Sequence, residues 1–303
     1  ATINRHHDEY GTQRLFDYFG DKCIEYTLKQ AINENKLTPY YYYPVLVAFT
    51  EDELHEYCEI TDKVADILKK VPHGDDLPQS AERLLIKRAR IIAGAQEKVN
   101  ALKEVMQSYK DKKHLLVYCG ATKVESEYLS NDGIDSTEQR QIDEVTSLLG
   151  NTLQMKVTQF TSAEDSKQRE LIKDEFSKGE IQALVAIKCL DEGMNIPGIE
   201  TAFILASSTN PKEYIQRRGR VLRKAQGKTY ATIYDFVTLP RPLDEYSYPS
   251  SVQAELSLVK REVERMRDFQ ELSENPSDVT EVIRLLTEKY NLYLIGDEYE
   301  RVE

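Results

Sequence analysis

Arg217, Arg218, Arg220 and Arg223 fall within seven residues, with Gly219 in their midst and Gln216 just ahead of them. A guanidinium group is planar, permanently charged and forked, so it meets phosphate oxygens in pairs. Several such groups on one helix repel one another, and an anion held between them removes that repulsion. The chemistry expected of the cluster is therefore recognition of phosphate. A solvated basic face is the ordinary alternative for an Arg-rich helix. Two further stretches place polar residues at the ends of apolar runs. Ala183–Ile187 leads into Lys188-Cys189-Leu190-Asp191-Glu192-Gly193-Met194-Asn195-Ile196-Pro197, where Gly193 permits close backbone approach. Met155–Phe160 leads into Thr161-Ser162-Ala163, whose short hydroxyls suit a sugar–phosphate backbone. A helix cap explains those hydroxyls equally well.

The elements that must position these residues are legible in the pattern. Asn210 suits a helix N-cap, Pro211 the first helical position and Glu213 a capping box, so the arginines should ride on a helix. From His114 onward, apolar runs of strand length alternate with helical patterns. Strands are expected at Leu115–Cys119 (closed by Gly120), Met155–Phe160, Ala183–Ile187, Thr201–Ala206 and Thr229–Val237, with helices over Glu138–Leu149 and Glu164–Lys178. This alternation predicts an α/β fold with a mainly parallel sheet flanked by helices. Ligands of such sheets favour the carboxyl ends of the strands. Ahead of the sheet, Thr12 and Gly20 bound a short helix, and Ile24–Leu28 reads as a strand. Tyr40–Tyr43 reads as a linker strand, since side chains alternate and only half can share a face. Thr50-x-x-Glu53 opens an amphipathic helix over 51–70, and a longer one spans about 81–108. After Pro242, helices are expected from Val252 to Leu272 and from a cap at Asp278, then a short strand at Tyr293–Ile295. The apolar spacing of the first leaves a coiled-coil partner as the lesser alternative to packing on the sheet.

The spacing Gln216-Arg217-x-Gly219-Arg220-x-x-Arg223 resembles motif VI of DEAD/DEAH-type helicases and translocases of superfamily two. The stretch 183–197 resembles their motif V in its restriction-enzyme and repair-helicase variant, and 115–120 resembles motif IV. Ala1-Thr2 is similar to the end of motif III, and Gly11–Gly20 to the segment after it. The resemblance implies the second, C-terminal RecA-like domain (P-loop NTPase-type), with added helical segments. It makes Arg220 the principal finger on the γ-phosphate of ATP, Arg223 the second arginine there, and Gln216 a positioning group. A finger of this kind is worth on the order of a thousandfold in rate. It assigns Asp191, Gly193 and Asn195 to the nucleotide, although Asn195 replaces the usual aspartate. It assigns Gly120, Thr161, Ser162 and Lys188 to nucleic acid, DNA rather than RNA. ATP with Mg²⁺ would be bound mainly by a first RecA-like domain missing from this chain. The implied segments are 1–43, a remnant of that first domain with its linker; 44–113, a helical accessory segment; 114–240, the second RecA-like domain; and 241–303, a helical tail.

No Gly-x-x-x-x-Gly-Lys-Ser/Thr occurs in the 303 residues. Gly227-Lys228-Thr229 lacks the earlier glycine, has Leu222 in its place, and leads into a strand. The chain by itself is therefore expected to be inactive as an ATPase. A net charge of -12 argues against an autonomous electrostatic binder of nucleic acid, though much of the acidic surplus follows Ala254. Nothing has the length and apolarity of a membrane span. The four cysteines stand far apart, and His6-His7 has no third ligand nearby, so no metal site and a reducing, cytoplasmic setting are expected. The residues leave the oligomeric state open. The alternative from another class is a degenerate RecA-like scaffold for protein docking, its arginines held in an ion-pair network.

Overall fold

The computed structural model describes residues 9–20, 23–24, 26–71, 77–120, 136–161, 164–187, 196, 198–206, 211–244 and 253–292. In chain order its elements are α1 (Glu9–Phe19), α2 (Leu28–Asn33), β1 (Tyr40–Ala48), α3 (Glu51–Leu68), α4 (Gln79–Ala93) and α5 (Glu97–Met106). They continue with β2 (Leu115–Cys119), α6 (Ser136–Ser147), β3 (Val157–Phe160), α7 (Ser166–Lys178), β4 (Ala183–Ile187) and β5 (Thr201–Ile204). The last are α8 (Pro211–Val221), β6 (Ala231–Leu239), α9 (Gln253–Gln270) and α10 (Pro276–Lys289). Among the described residues six strands form one sheet in the order β1-β6-β5-β2-β4-β3, with each strand pairing parallel. The expected α/β class holds, with a sheet that is parallel throughout.

Side chains alternate across the sheet, so each strand serves two cores. Leu116, Tyr118, Leu184, Ala186, Ala202, Ile204 and Ile233 pack beneath α7, α8, α9 and α10. Leu115, Val117, Cys119, Ala183, Val185, Phe203 and Phe236 face α5 and α6 on the other side. A third cluster joins Phe49, Leu54 and Tyr57 to Ile92 and to Ala254 and Leu258 of α9, which attaches α3 and α4 to the body. No helix among the described residues is long and apolar enough to cross a membrane.

Several expected elements differ, each for a local reason. The strand expected at Ile24–Leu28 gives way to α2, because Thr27 and Gln30 form a capping box that starts a helix there. The long helix expected over 81–108 breaks at Gly94 into α4 and α5, and Glu53 reaches across to accept a hydrogen bond from the Gln96 N–H at 2.9 Å. Tyr40–Tyr43 is a strand as expected, but a longer one: it begins β1, which runs beside β6 for nine residues. The boundary drawn between 43 and 44 thus falls inside a strand. Helix α10 starts at Pro276 rather than at an Asp278 cap. The residue at its N-cap position, Asn275, turns its amide to β1 instead. It accepts from the Tyr42 N–H and donates to the Tyr42 carbonyl, both at 2.9 Å, while Glu274 N–H donates to the Tyr40 carbonyl. The tail thereby covers an edge strand whose open backbone would otherwise invite pairing. Helix α9 packs on the sheet of its own chain through Val259, Val263 and Met266, the same stripe that raised a coiled-coil alternative.

Candidate functional site

Helix α8 carries the arginines, and its pitch sorts them. At about 100° per residue, Gln216 and Arg220 share one face, Arg218 points to the opposite side and Arg217 lies between, while Arg223 follows two residues past the helix end, in the bridge to Leu37. Burial follows this wheel. Arg217 and Arg218 are 3% and 2% exposed, Gln216 and Arg220 are half-buried, and Arg223 is exposed. Gly219 lies on the same open side, and a methyl group placed on it would meet nothing within 4 Å.

The two buried arginines are held inside the fold. Arg217 donates from Nη1 to the Ala206 carbonyl at 3.2 Å, and its guanidinium lies over the Tyr118 ring, 4.3 Å from the centroid. Arg218 grips the end of α9. Its Nη2 pairs with Asp268 Oδ2 at 3.2 Å, and its Nη1 donates to the Asp268 carbonyl at 2.9 Å and to the Tyr40 hydroxyl at 3.3 Å. Its guanidinium also lies 4.8 Å from the Phe269 centroid. A cation at a helix C-terminus is favourably placed against the helix dipole. The four arginines are therefore not one mutually repelling cluster, as their spacing suggested. Two of the charges are absorbed by internal partners, and Arg218 does what the scaffold alternative expects of an ion-pair network.

The direction of α8 decides where Arg220 and Arg223 stand. A helix following a parallel strand must run back across the sheet. Beginning beyond the carboxyl end of β5, α8 ends where Leu222 O accepts from the Thr38 N–H at 2.8 Å and Arg223 bridges Leu37, just ahead of β1. That is the amino end of the sheet. The strand ends at which Gly120 and Thr161 stand lie at the other, carboxyl edge. A Cβ placed on Gly198, between β4 and β5, would stand 4.0 Å from the Ala225 Cβ, so the turn after Arg223 lies near that end of the crossover. Lys228 folds back from this turn, and its Nζ donates to the Val221 carbonyl and, at 3.0 Å, to the Arg223 carbonyl.

At the opposite, carboxyl edge the candidates already have internal duties. Gly120 is buried with φ +98°, and a Cβ there would stand 2.8 Å from Ile187 Cγ2. The position needs glycine both for its backbone and for the close approach of β4. Its N–H points at Gln141 Oε1 (3.4 Å), whose Nε2 donates to the Ala93 carbonyl at 3.0 Å. Thr161 is 4% exposed; its N–H donates to Glu164 at 2.7 Å, and its hydroxyl lies 3.1 Å from both Glu164 oxygens. The helix cap itself is Asp165, boxed with Gln168. Ser162, Lys188, Asp191, Gly193 and Asn195 lie outside the described residues, as do Asn210, Ala1–Arg5, His6-His7 and the strand expected at Tyr293–Ile295.

Two buried groups escape a reading of the sequence. Lys98 on α5 donates to the Ile92 and Leu205 carbonyls, each at 2.7 Å, and so ties the accessory helices to the chain leading into α8. Burial pushes its ammonium down to about 8, against the pull of Glu262. Beside it, Arg265 of α9 pairs with Asp235 of β6 at 3.0 Å and with Glu262 at 2.6 Å, and Tyr42 donates to Asp235 at 2.9 Å. Burial opposes the Arg265 charge, but Asp235 and Glu262 outweigh it and keep the guanidinium protonated. No spacing announces Leu205 as a partner of Lys98, or Asp235 as a partner of Arg265. Lys228, by contrast, is visible within Gly227-Lys228-Thr229, but that tripeptide is not a phosphate loop and so gives no hint of the role.

Comparison with known proteins gives this geometry its context. Residues 97–225 match the family described as the helicase conserved C-terminal domain. The chain is similar to the DNA 3'-5' translocase XPB2 of Sulfurisphaera tokodaii, 24% identical over 194 residues, covering 59% of this chain and 39% of that protein. It is also similar to the ATP-dependent DNA helicase MPH1 of Saccharomyces cerevisiae, 22% identical over 337 residues, covering 92% of this chain and 33% of that protein. The chain thus spans between about a third and two-fifths of the length of these relatives. Among solved structures, the SWI2/SNF2 ATPase core of Sulfolobus solfataricus in complex with dsDNA superposes with a TM-score of 0.49 at 12% identity, covering 94% of this chain and 56% of that one.

Proposed function

We propose that this chain, whose residues 97–225 match the helicase conserved C-terminal domain family, is the C-terminal half of an ATP-dependent DNA helicase or translocase. Its sheet is the second RecA-like domain, working with a first domain that cradles ATP and Mg²⁺. The observation that carries this reading is the open face of α8. Glycine inside a helix costs about 1 kcal/mol relative to alanine. Gly219 nonetheless stands where a methyl group would touch nothing in the fold. A surface kept bare between Gln216, Arg220 and Arg223 suits the close approach of another body.

In this reading Arg220 and Arg223 reach across an interdomain cleft to the phosphoryl group in transfer, and Gln216 positions the attacking group. Two positive charges there stabilise the charge that develops on the equatorial oxygens. The crossover 188–200, with Asp191, Gly193 and Asn195, connects this nucleotide edge to the carboxyl edge. Nucleic acid lies at the latter, and Lys188 and Ser162 are its side-chain contacts. Gly120 and Thr161, with their bonding groups engaged internally, shape the floor of that edge. Closure of the cleft on ATP and its reopening after hydrolysis move the two domains along the strand. DNA is the substrate proposed, as both relatives are named as DNA enzymes.

The test is ATP hydrolysis by the purified chain alone, and by the chain joined to the preceding domain, with DNA or RNA added. The expected result is no hydrolysis by the chain alone and DNA-stimulated hydrolysis by the joined protein. Robust hydrolysis by the chain alone, or a joined protein indifferent to DNA, contradicts the reading.

A further inference from the structure

We propose that Lys228 is a positioning residue for the finger arginines, closing the last turn of α8 so that Arg220 and Arg223 are held in place before nucleotide arrives. This rests on the finger reading above and extends it to a residue outside the motif. The last carbonyls of an α-helix lack partners within the helix. At Val221, the last residue of α8, and at the two residues past it, three successive carbonyls are taken by groups outside the helix. The Val221 and Arg223 carbonyls accept from Lys228 Nζ, and the Leu222 carbonyl between them accepts from the Thr38 N–H.

The turn that brings Lys228 back is built for this purpose. Gly227 has φ +82°, a conformation open to glycine, and the Lys228 N–H closes onto the Ala225 carbonyl at 3.2 Å. Ala225 faces Gly198 with room left for little more than a methyl group between them, so the turn is confined on that side. An ammonium group placed at a helix C-terminus gains from the dipole, yet its partial burial costs hydration. That burial pushes Lys228 down to about 8, with Glu200 opposing the shift. Glu200 itself stands 3.4 Å from His114, and the next cation along the chain past the helix end is Arg223. The ammonium faces carbonyls, so Lys228 serves the arginines rather than a phosphate.

The experiment compares Lys228→Met, Lys228→Arg and Arg220→Ala in the full-length protein, measuring DNA-stimulated kcat and the KM for ATP from pH 6.5 to 9.5. Lys228→Met is expected to lower kcat on the order of tenfold to a hundredfold, as misplacement of a catalytic group does, with KM nearly unchanged. The native rate is expected to decline as pH rises through about 8, and Lys228→Arg to keep most of the rate and move that decline to higher pH. A native kcat in Lys228→Met beside a lost one in Arg220→Ala overturns this inference alone. Identical pH profiles for the native protein and Lys228→Arg overturn it as well, even where Lys228→Met fails to fold. A native kcat in Arg220→Ala overturns the finger reading and this inference together.

Discussion

The two sides of α8 place the same side chain in opposite circumstances. Arg217 and Arg218 are buried and bound to the sheet and to α9, whereas Arg220 is half-buried and Arg223 exposed, beside a glycine with open space around it. The first pair fixes the helix; the second is carried by it. A motif read as one string of arginines therefore contains two functions, separated by about 200° of helical rotation between Arg218 and its neighbours on the open face.

The comparison breaks most readily at its buried side. Arg218→Met removes the cation shared by Asp268, the α9 terminus and the Tyr40 hydroxyl. Losing one partner of a buried pair costs about 3–5 kcal/mol in the fully desolvated case. Because the Asp268 side chain is 32% exposed, roughly 2 kcal/mol is expected here, read by urea denaturation. Arg218 and Arg223 replaced with equal cost would erase the distinction drawn between them.

A second buried cation sharpens the point through pH. Burial holds Lys98 at about 8, below the usual 10.5. Between those values the unfolded chain binds more protons than the folded one, so stability rises with pH across that window. The rise expected between pH 7.5 and 9.5 is about 2 kcal/mol from Lys98 and a smaller, parallel amount from the less buried Lys228. Lys98→Met is expected to remove at least half of it. Equal pH slopes in the two proteins would show that the ammonium is better hydrated than its position implies.

The open side is tested by gain rather than loss. Gly219→Ala is expected to stabilise the chain by about 0.5–1 kcal/mol, since the helix favours alanine and nothing obstructs the methyl group. DNA-stimulated ATP hydrolysis by the full-length protein should fall at the same time. Stabilisation without loss of activity would mean that no other body approaches that face. The smallest effect belongs to Arg223→Ala, a loss of up to about 1 kcal/mol in denaturant titration, the range for an exposed charged side chain and its surface partner.

Much of this fold is legible in the sequence. The apolar runs of β2, β4 and β5 and the box at Thr50 and Glu53 declare themselves through length and spacing. What escapes is set by partners distant in the chain. Nothing near Arg218 points to Asp268, and nothing near Tyr42 points to Asn275. Helical periodicity separates Arg218 from Arg220 once it is applied to charge as well as to apolar residues. The edge at which the fingers stand is hidden for a topological reason. Strand ends draw attention to the carboxyl edge, while the return path of α8 carries its last turn to the amino edge beside Leu37 and Thr38.

The central claim, that the open-face arginines act on a nucleotide held by another domain, is tested most directly by kcat for DNA-stimulated ATP hydrolysis in full-length Arg220→Ala. A fall on the order of a thousandfold, in a protein that still unfolds cooperatively, is the result this account predicts. A native kcat would contradict it.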